Sequence, residues 1–258
     1  MRICLIGNSH AGAWKEAWDA LAPRRREVAL NVFAAAAPML KNLESRGGVF
    51  ATGDAGLRAC LERGGAPVID PAAYDMFVVV LAGYGAPPLV QLYGEWRADS
   101  HAGREGDFTL VSDDCFRAAA SGLLERTVGA RICRELAAMT SKPVYAAPQP
   151  MPREAILAGT APNHEAWRLV HRGGDAGAVA ALFAELFDAF CAGRAIPLPQ
   201  PPATLHGPLL TRQRWAAGAK SAFGAGEPQP EEDMVHMNAA YGTLCLDALF
   251  AAAGIAPA

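Results

Sequence analysis

Several features that would classify a chain at once are missing from these 258 residues. No apolar run approaches the about 20 residues that a membrane-spanning helix needs. The first run, ICLI, stops after four residues at Gly7, too short for the apolar region of a secretory leader. A cytoplasmic protein without a membrane partner is the expectation. Neither sign of charge dominates, since 23 Lys and Arg face 26 Asp and Glu for a formal net charge of -3. No long-range field would gather nucleic acid, which is excluded as a first-rank partner. The six cysteines, Cys4, Cys60, Cys115, Cys133, Cys191 and Cys245, make no CxxC pair. That spacing speaks against a zinc ribbon or a dense disulfide framework and for reduced core thiols. Neither GxGxxG nor GxxxxGK[ST] occurs, so no loop is dedicated to nucleotide phosphates. His101, His164, His171 and His206 lack metal-ligand spacing. No cofactor and no metal is expected.

What is present is ample apolar material, 52% of the residues, enough to bury one full core. Its pattern alternates between two periods. Strands are predicted over 2–6 (RICLI), 27–33 (EVALNVF), 76–82 (MFVVVLA), 143–147 (PVYAA) and, weakened by prolines, 195–199 (AIPLP). The third is apolar throughout, as a strand covered on both faces should be. Between them, apolar residues fall at helical spacing. Trp14, Ala17, Trp18 and Leu21 form one face, and Leu124, Val128, Ile132 and Leu136 a second. Val179, Leu182, Phe183, Leu186 and Phe190 form a third, and Tyr241, Leu244, Cys245, Ala248 and Ala252 a fourth, ending before Gly254. Alternating strands and helices imply an α/β protein with a mostly parallel sheet between helical layers. A single domain over 1–258 is expected, with insertions at about 38–75, 86–114 and 200–232, where Gly, Pro and charge interrupt the period. The last of these reads as surface loop.

In such a sheet, ligands bind beyond the carboxyl ends of the strands, and the first such loop here is GNSHAG. Gly7 permits a sharp turn and Ser9 stands where the chain enters the first helix. Two roles are open to it. Ser9 or Asn8 could cap the helix. Alternatively, Ser9 offers an exposed hydroxyl beside backbone N–H groups at a helix N-terminus, which suit a nucleophile and its oxyanion. The far end of the chain supplies a base in EEDMVHMNAAYG, where Asp233 and His236 are three residues apart and their side chains can point the same way. A carboxylate orienting an imidazole toward a serine is the arrangement of a Ser, His, Asp triad. Here too a helix-capping Asp233 or Glu232 beside an exposed His is the alternative.

Taken together, GNSH near the N-terminus and DMVH near the C-terminus resemble the SGNH hydrolase superfamily, also called the GDSL family. They are also similar to SGNH domains of bacterial surface-sugar acylation and deacylation systems. The resemblance implies a flavodoxin-like three-layer α/β/α sandwich with a five-stranded sheet, Ser9 as nucleophile, Asp233 as orienting acid and His236 as base. It implies a serine-dependent esterase or acyltransferase acting on a small acyl group, such as O-acetyl, of a carbohydrate through an acyl-serine intermediate. The partner would be a glycan or small-molecule acyl ester. The middle blocks depart from the family pattern. FAAAAPML has Ala35 or Ala36 where the family has Gly, and LAGYGAPP has Gly85 where it has the oxyanion-hole Asn. Losing one such donor costs roughly 10²- to 10³-fold in rate. Asn8, Asn42 and Gln149 are the candidate replacements, and His10 is a candidate substrate contact. The departure keeps open an alternative, a catalytically weak or inactive carbohydrate-binding protein on the same fold.

Overall fold

A computed structural model describes residues 1–221 and 227–256. Residues 222–226, in the predicted 200–232 loop, and 257–258, at the end of the predicted domain, lie outside the described residues. In chain order the elements are β1 (Arg2–Gly7), α1 (Ala11–Leu21), β2 (Ala29–Ala34), α2 (Ala37–Leu40), β3 (Glu44–Arg46), β4 (Val49–Ala51), α3 (Ala55–Gly64) and β5 (Met76–Val80). There follow α4 (Pro87–Glu95), β6 (Trp96–Ala98), β7 (Thr109–Val111), α5 (Asp113–Glu125), α6 (Val128–Met139), β8 (Val144–Ala147), α7 (Glu165–Arg172), α8 (Ala176–Cys191), β9 (Ile196–Pro197) and α9 (Ala239–Ala252).

The central sheet has the order β2-β1-β5-β8-β9, and all four pairings are parallel. This is the doubly wound order in which the strand sequence reverses direction beside β1. All five residues of β5 are buried, because its two faces serve two cores. Ile3, Leu5, Val78 and Tyr145 face α1 and α9, while Cys4, Ile6, Phe77 and Ala146 face the layer containing α3, α6 and α8. The result is a three-layer α/β/α fold. No helix among the described residues is long and apolar enough to cross a membrane.

Each predicted strand exists, with 195–199 reduced to the two residues Ile196–Pro197 at the sheet edge. The second predicted helical face is divided between two helices. Leu124 lies in the last turn of α5, and Val128, Ile132 and Leu136 belong to α6, whose start is capped by Thr127 accepting from the Ala130 N–H at 3.2 Å. The segments without a clean period hold elements of their own: the β3–β4 hairpin and the crossover helix α3 in 38–75, and α4 with the short β6–β7 pair in 86–114. The stretch 200–232 is not a simple surface loop. Thr204, Leu209, Leu210 and Thr211 are buried, and Thr211 is woven into the turn after β8, its N–H donating to Pro152 O at 2.8 Å and its hydroxyl to Met151 O at 2.7 Å.

Helices α1 and α9 lie side by side on one face of the sheet. Gly242 permits this approach, since a Cβ there would collide with the Ala13 carbonyl oxygen and stand 3.0 Å from the Trp14 nitrogen. Gly7 is likewise a matter of space. Its φ is not positive, and a Cβ would lie 2.9 Å from that of Val80. The sharp turn predicted for Gly7 therefore needs no left-handed backbone; the crowding of β1 against β5 is what demands glycine.

Candidate active site

The chain leaves β1 at Gly7 and turns through Asn8 and Ser9 into α1. The capping position is taken by His10, with no side-chain cap bond. The Asn8 Oδ1 accepts from the His10 N–H at 3.3 Å, which shapes the turn. The Ser9 hydroxyl makes no capping bond; it lies 2.8 Å from His236 Nε2. The helix-capping reading of Ser9 is thereby replaced.

At the other end of the chain, residues 233–236 form a tight turn just before α9. Asp233 Oδ1 accepts from the Val235 N–H at 3.0 Å and the His236 N–H at 2.8 Å, and Oδ2 lies 2.6 Å from His236 Nδ1. Helix α9 is capped by Asn238, which accepts from the Tyr241 N–H at 3.1 Å, so Asp233 and Glu232 have no capping task. The Asn238 carboxamide also donates to Arg214 O and Ala217 O, both at 2.9 Å, anchoring the turn.

The bonding fixes the tautomer of the neutral His236 ring. An ionised carboxylate only accepts, so Nδ1 of the neutral imidazole carries the proton and Nε2 is left to accept from the Ser9 hydroxyl. Burial by itself pushes the Asp233 carboxyl up. The hydrogen bonds from the His236 ring and backbone, its charge and the Val235 N–H outweigh this and hold the carboxyl down to about 2. His10, the candidate substrate contact, stacks on His236, with ring centroids 5.1 Å apart and planes at 27°. Its Nδ1 is buried and unpartnered among the described residues. Burial first, then the charge His236 carries when protonated, lowers the His10 pKa to about 3, against an upward pull from Asp233. His10 is thus a neutral lid on one side of the His236 ring.

The remaining predicted residues stand at the carboxyl edge of the same sheet. Ala36 follows β2, Gly85 follows β5 and Gln149 follows β8. Among the described residues, the backbone N–H groups of Ser9, Ala36 and Gly85 donate no hydrogen bond. Gly85 lies against Gln149, where an added Cβ would meet the Gln149 Cβ at 3.2 Å. The side-chain amides of Asn8 and Gln149 likewise donate to nothing among the described residues. Asn42 is removed from consideration. It is exposed, on the segment after α2, with its amide 3.4 Å from Asp54 Oδ2. Tyr93 is fully buried, its hydroxyl donating to Asp175 Oδ2 at 2.6 Å, and packs α4 into the core.

A cavity of about 400 Å³ opens beside the Asp233–His236 pair, lined mainly by polar groups of Arg153, Gln213, Gln229 and Glu231. Arg153 has no motif to mark it in sequence. Only its position, four residues beyond Gln149 in the turn after β8, hints that it belongs to the sheet's carboxyl edge. Among the described residues, no three His, Cys, Asp or Glu side chains converge as a metal site requires.

No family model matches the chain, and no curated protein does. Among solved structures it is similar to a GDSL-like lipase from Bacteroides thetaiotaomicron VPI-5482, at 12% identity over 98% of this chain and 86% of that one, with a TM-score of 0.43.

Proposed function

We propose that this protein is an SGNH-type serine-dependent esterase or acyltransferase that removes or moves a small acyl group, O-acetyl foremost, on a carbohydrate. The observation that carries the reading is the continuous pair of contacts, 2.8 Å from Ser9 Oγ to His236 Nε2 and 2.6 Å from His236 Nδ1 to Asp233 Oδ2. Both lie within the range for nucleophile and base, and base and orienting acid.

In this mechanism Ser9 Oγ attacks the acyl carbonyl while its proton passes to Nε2 of His236. Asp233 balances the imidazolium without taking its proton. The ester C–O bond breaks, the alcohol leaves with the proton from Nε2, and Ser9 carries the acyl group. Water or a sugar hydroxyl then attacks the acyl-serine, giving its proton to His236 and restoring Ser9. The developing oxyanion falls to the N–H groups of Ser9, Ala36 and Gly85. The polar lining of the neighbouring cavity suits a hydroxyl-rich substrate.

Intact mass after treatment with a fluorophosphonate tests the nucleophile without knowledge of the substrate. One adduct is expected on the parent and none on Ser9→Ala. No adduct on the parent, or an adduct that survives in Ser9→Ala, would refute the reading. Gly85 in the place of an Asn is the one observation favouring a catalytically weak or inactive carbohydrate-binding protein; the inactive case predicts an unlabelled Ser9, the weak case a labelled Ser9 with slow ester turnover.

A further inference from the structure

Arg97, on β6, is only 1% exposed, yet no carboxylate among the described residues stands within ion-pair distance of it. A guanidinium does not give up its proton, so Arg97 carries a full charge into the interior. Two aromatic rings offset part of that cost, with Cζ 3.7 Å from the centroid of Tyr93 and 4.8 Å from that of Phe108. Nη1 donates to Trp96 O and Nη2 to Glu105 O, both at 3.2 Å. Nε is enclosed and has no partner among the described residues. The carboxylate at the hydroxyl end of Tyr93 is committed elsewhere: Asp175 accepts from the Tyr93 hydroxyl at 2.6 Å and from the Ala102 and Gly103 N–H groups at 2.8 Å.

Arg97 lines a cavity of about 240 Å³ together with Arg104, Glu105, Leu169 and Arg172. None of these residues lines the cavity beside Asp233 and His236. Arg104 is exposed, and among the described residues its guanidinium donates only to the carbonyl oxygens of Asp99, His101 and Gly103. Arg172 is already neutralised, its Nε 3.2 Å from Glu105 Oε2 and its Nη2 3.1 Å from Glu165 Oε1. Two positive charges, on Arg97 and Arg104, therefore border one cavity with no carboxylate paired to either. We propose that this cavity binds a phosphate dianion, free or as the monoester of a small molecule, with Arg97 and Arg104 as its counter-charges. A dianion is favoured over a carboxylate because it balances both charges, and its oxygens, set in three dimensions, can accept from two guanidinium forks on different segments at once. Bound there, it would tie β6 to the loop that follows it. The proposal does not rest on the serine-esterase reading.

The experiment is calorimetric titration of the full chain with inorganic phosphate, glycerol 3-phosphate and acetate, at constant ionic strength and about pH 8, where the phosphates are dianions. Saturable binding of phosphate or its ester is expected, about tenfold or more tighter than that of acetate. Arg104→Gln, at an exposed position, and Arg97→Gln should each weaken it about tenfold or more, and Arg104→Lys should keep part of it. Circular dichroism melts verify folding, and if Arg97→Gln does not fold, Arg104→Gln decides. Tighter binding of glycerol 3-phosphate than of phosphate supports the site with a monoester as its ligand; equal or weaker binding supports it with the free ion. No saturable binding of either phosphate, or binding unchanged in Arg104→Gln, overturns the site. Acetate bound as tightly as phosphate overturns the dianion assignment.

Discussion

Asp233→Asn tests the proposed triad at its most constrained atom. Asp233 Oδ1 accepts two backbone N–H groups, from Val235 and His236, while Oδ2 alone faces the His236 ring. In the asparagine only the carbonyl oxygen can accept those two N–H bonds, so it must occupy the Oδ1 position and the NH₂ must turn toward Nδ1. Nδ1 then has to accept, its proton moves to Nε2, and Nε2 donates to Ser9 when it should receive. The ring stays in place but in the wrong tautomer. The reversal of an orienting carboxylate in a Ser, His, Asp arrangement costs on the order of 10⁴-fold in turnover. Stability should change far less, by about 1–2 kcal/mol, because both backbone bonds survive and one charge-assisted bond is exchanged for a neutral one. Hydrolysis of a short-chain activated ester gives the rate, urea unfolding the stability, and ¹⁵N shifts of the His236 ring the tautomer. Turnover within about tenfold of the parent, with the ring protonated at Nε2, would refute the proposed proton path.

Three further expectations use other features. Under the proposed function, Gly85→Asn would place a side-chain amide at the proposed oxyanion hole; the φ of Gly85 is not positive, and the added Cβ meets Gln149 and Pro87 at 3.2 and 3.3 Å, so the Gln149 side chain must yield slightly. Hydrolysis of the activated ester should rise about tenfold or more, and a parent already as fast as the variant would show that the hole lacks nothing. Gly242→Ala drives a methyl into the Ala13 carbonyl between α1 and α9, so urea unfolding should register a loss of about 1–3 kcal/mol and phosphonate labelling should slow; unchanged values in both would sever the packing from the site. His10, held neutral down to about pH 3, takes up a proton on unfolding below about pH 6.5. Its folded pKa is the depressed one, so its contribution to stability is complete above that pH and falls at up to about 1.4 kcal/mol per pH unit as pH drops toward 3. Asp233, with its folded pKa near 2, adds its own loss only below about pH 4. Urea midpoints between pH 7 and 4.5 should therefore decline less steeply in His10→Phe than in the parent; parallel profiles would contradict this.

Local chemistry alone determined a good part of this protein. The continuous apolar character of MFVVV specifies a strand buried on both faces, and the spacing of Trp14, Ala17 and Trp18 specifies a helix with one core face. The Asp233–His236 contact is likewise local, closed within a four-residue turn, which is why D-x-x-H is legible without a fold. Short, exposed elements escaped because three residues such as Glu44–Arg46 carry no measurable period. The α5–α6 boundary escaped because the apolar spacing runs on through it, although Thr127 is a recognisable cap. Tertiary structure decided everything that depends on distance along the chain. Ser9 and His236 are 227 residues apart and meet because the helices that begin just beyond each of them pack together, with Gly242 against Ala13. The same fold stacks half-buried His10 on the His236 ring. A side chain's identity sets what it can donate or accept; only the enclosing fold sets whether a partner is already there.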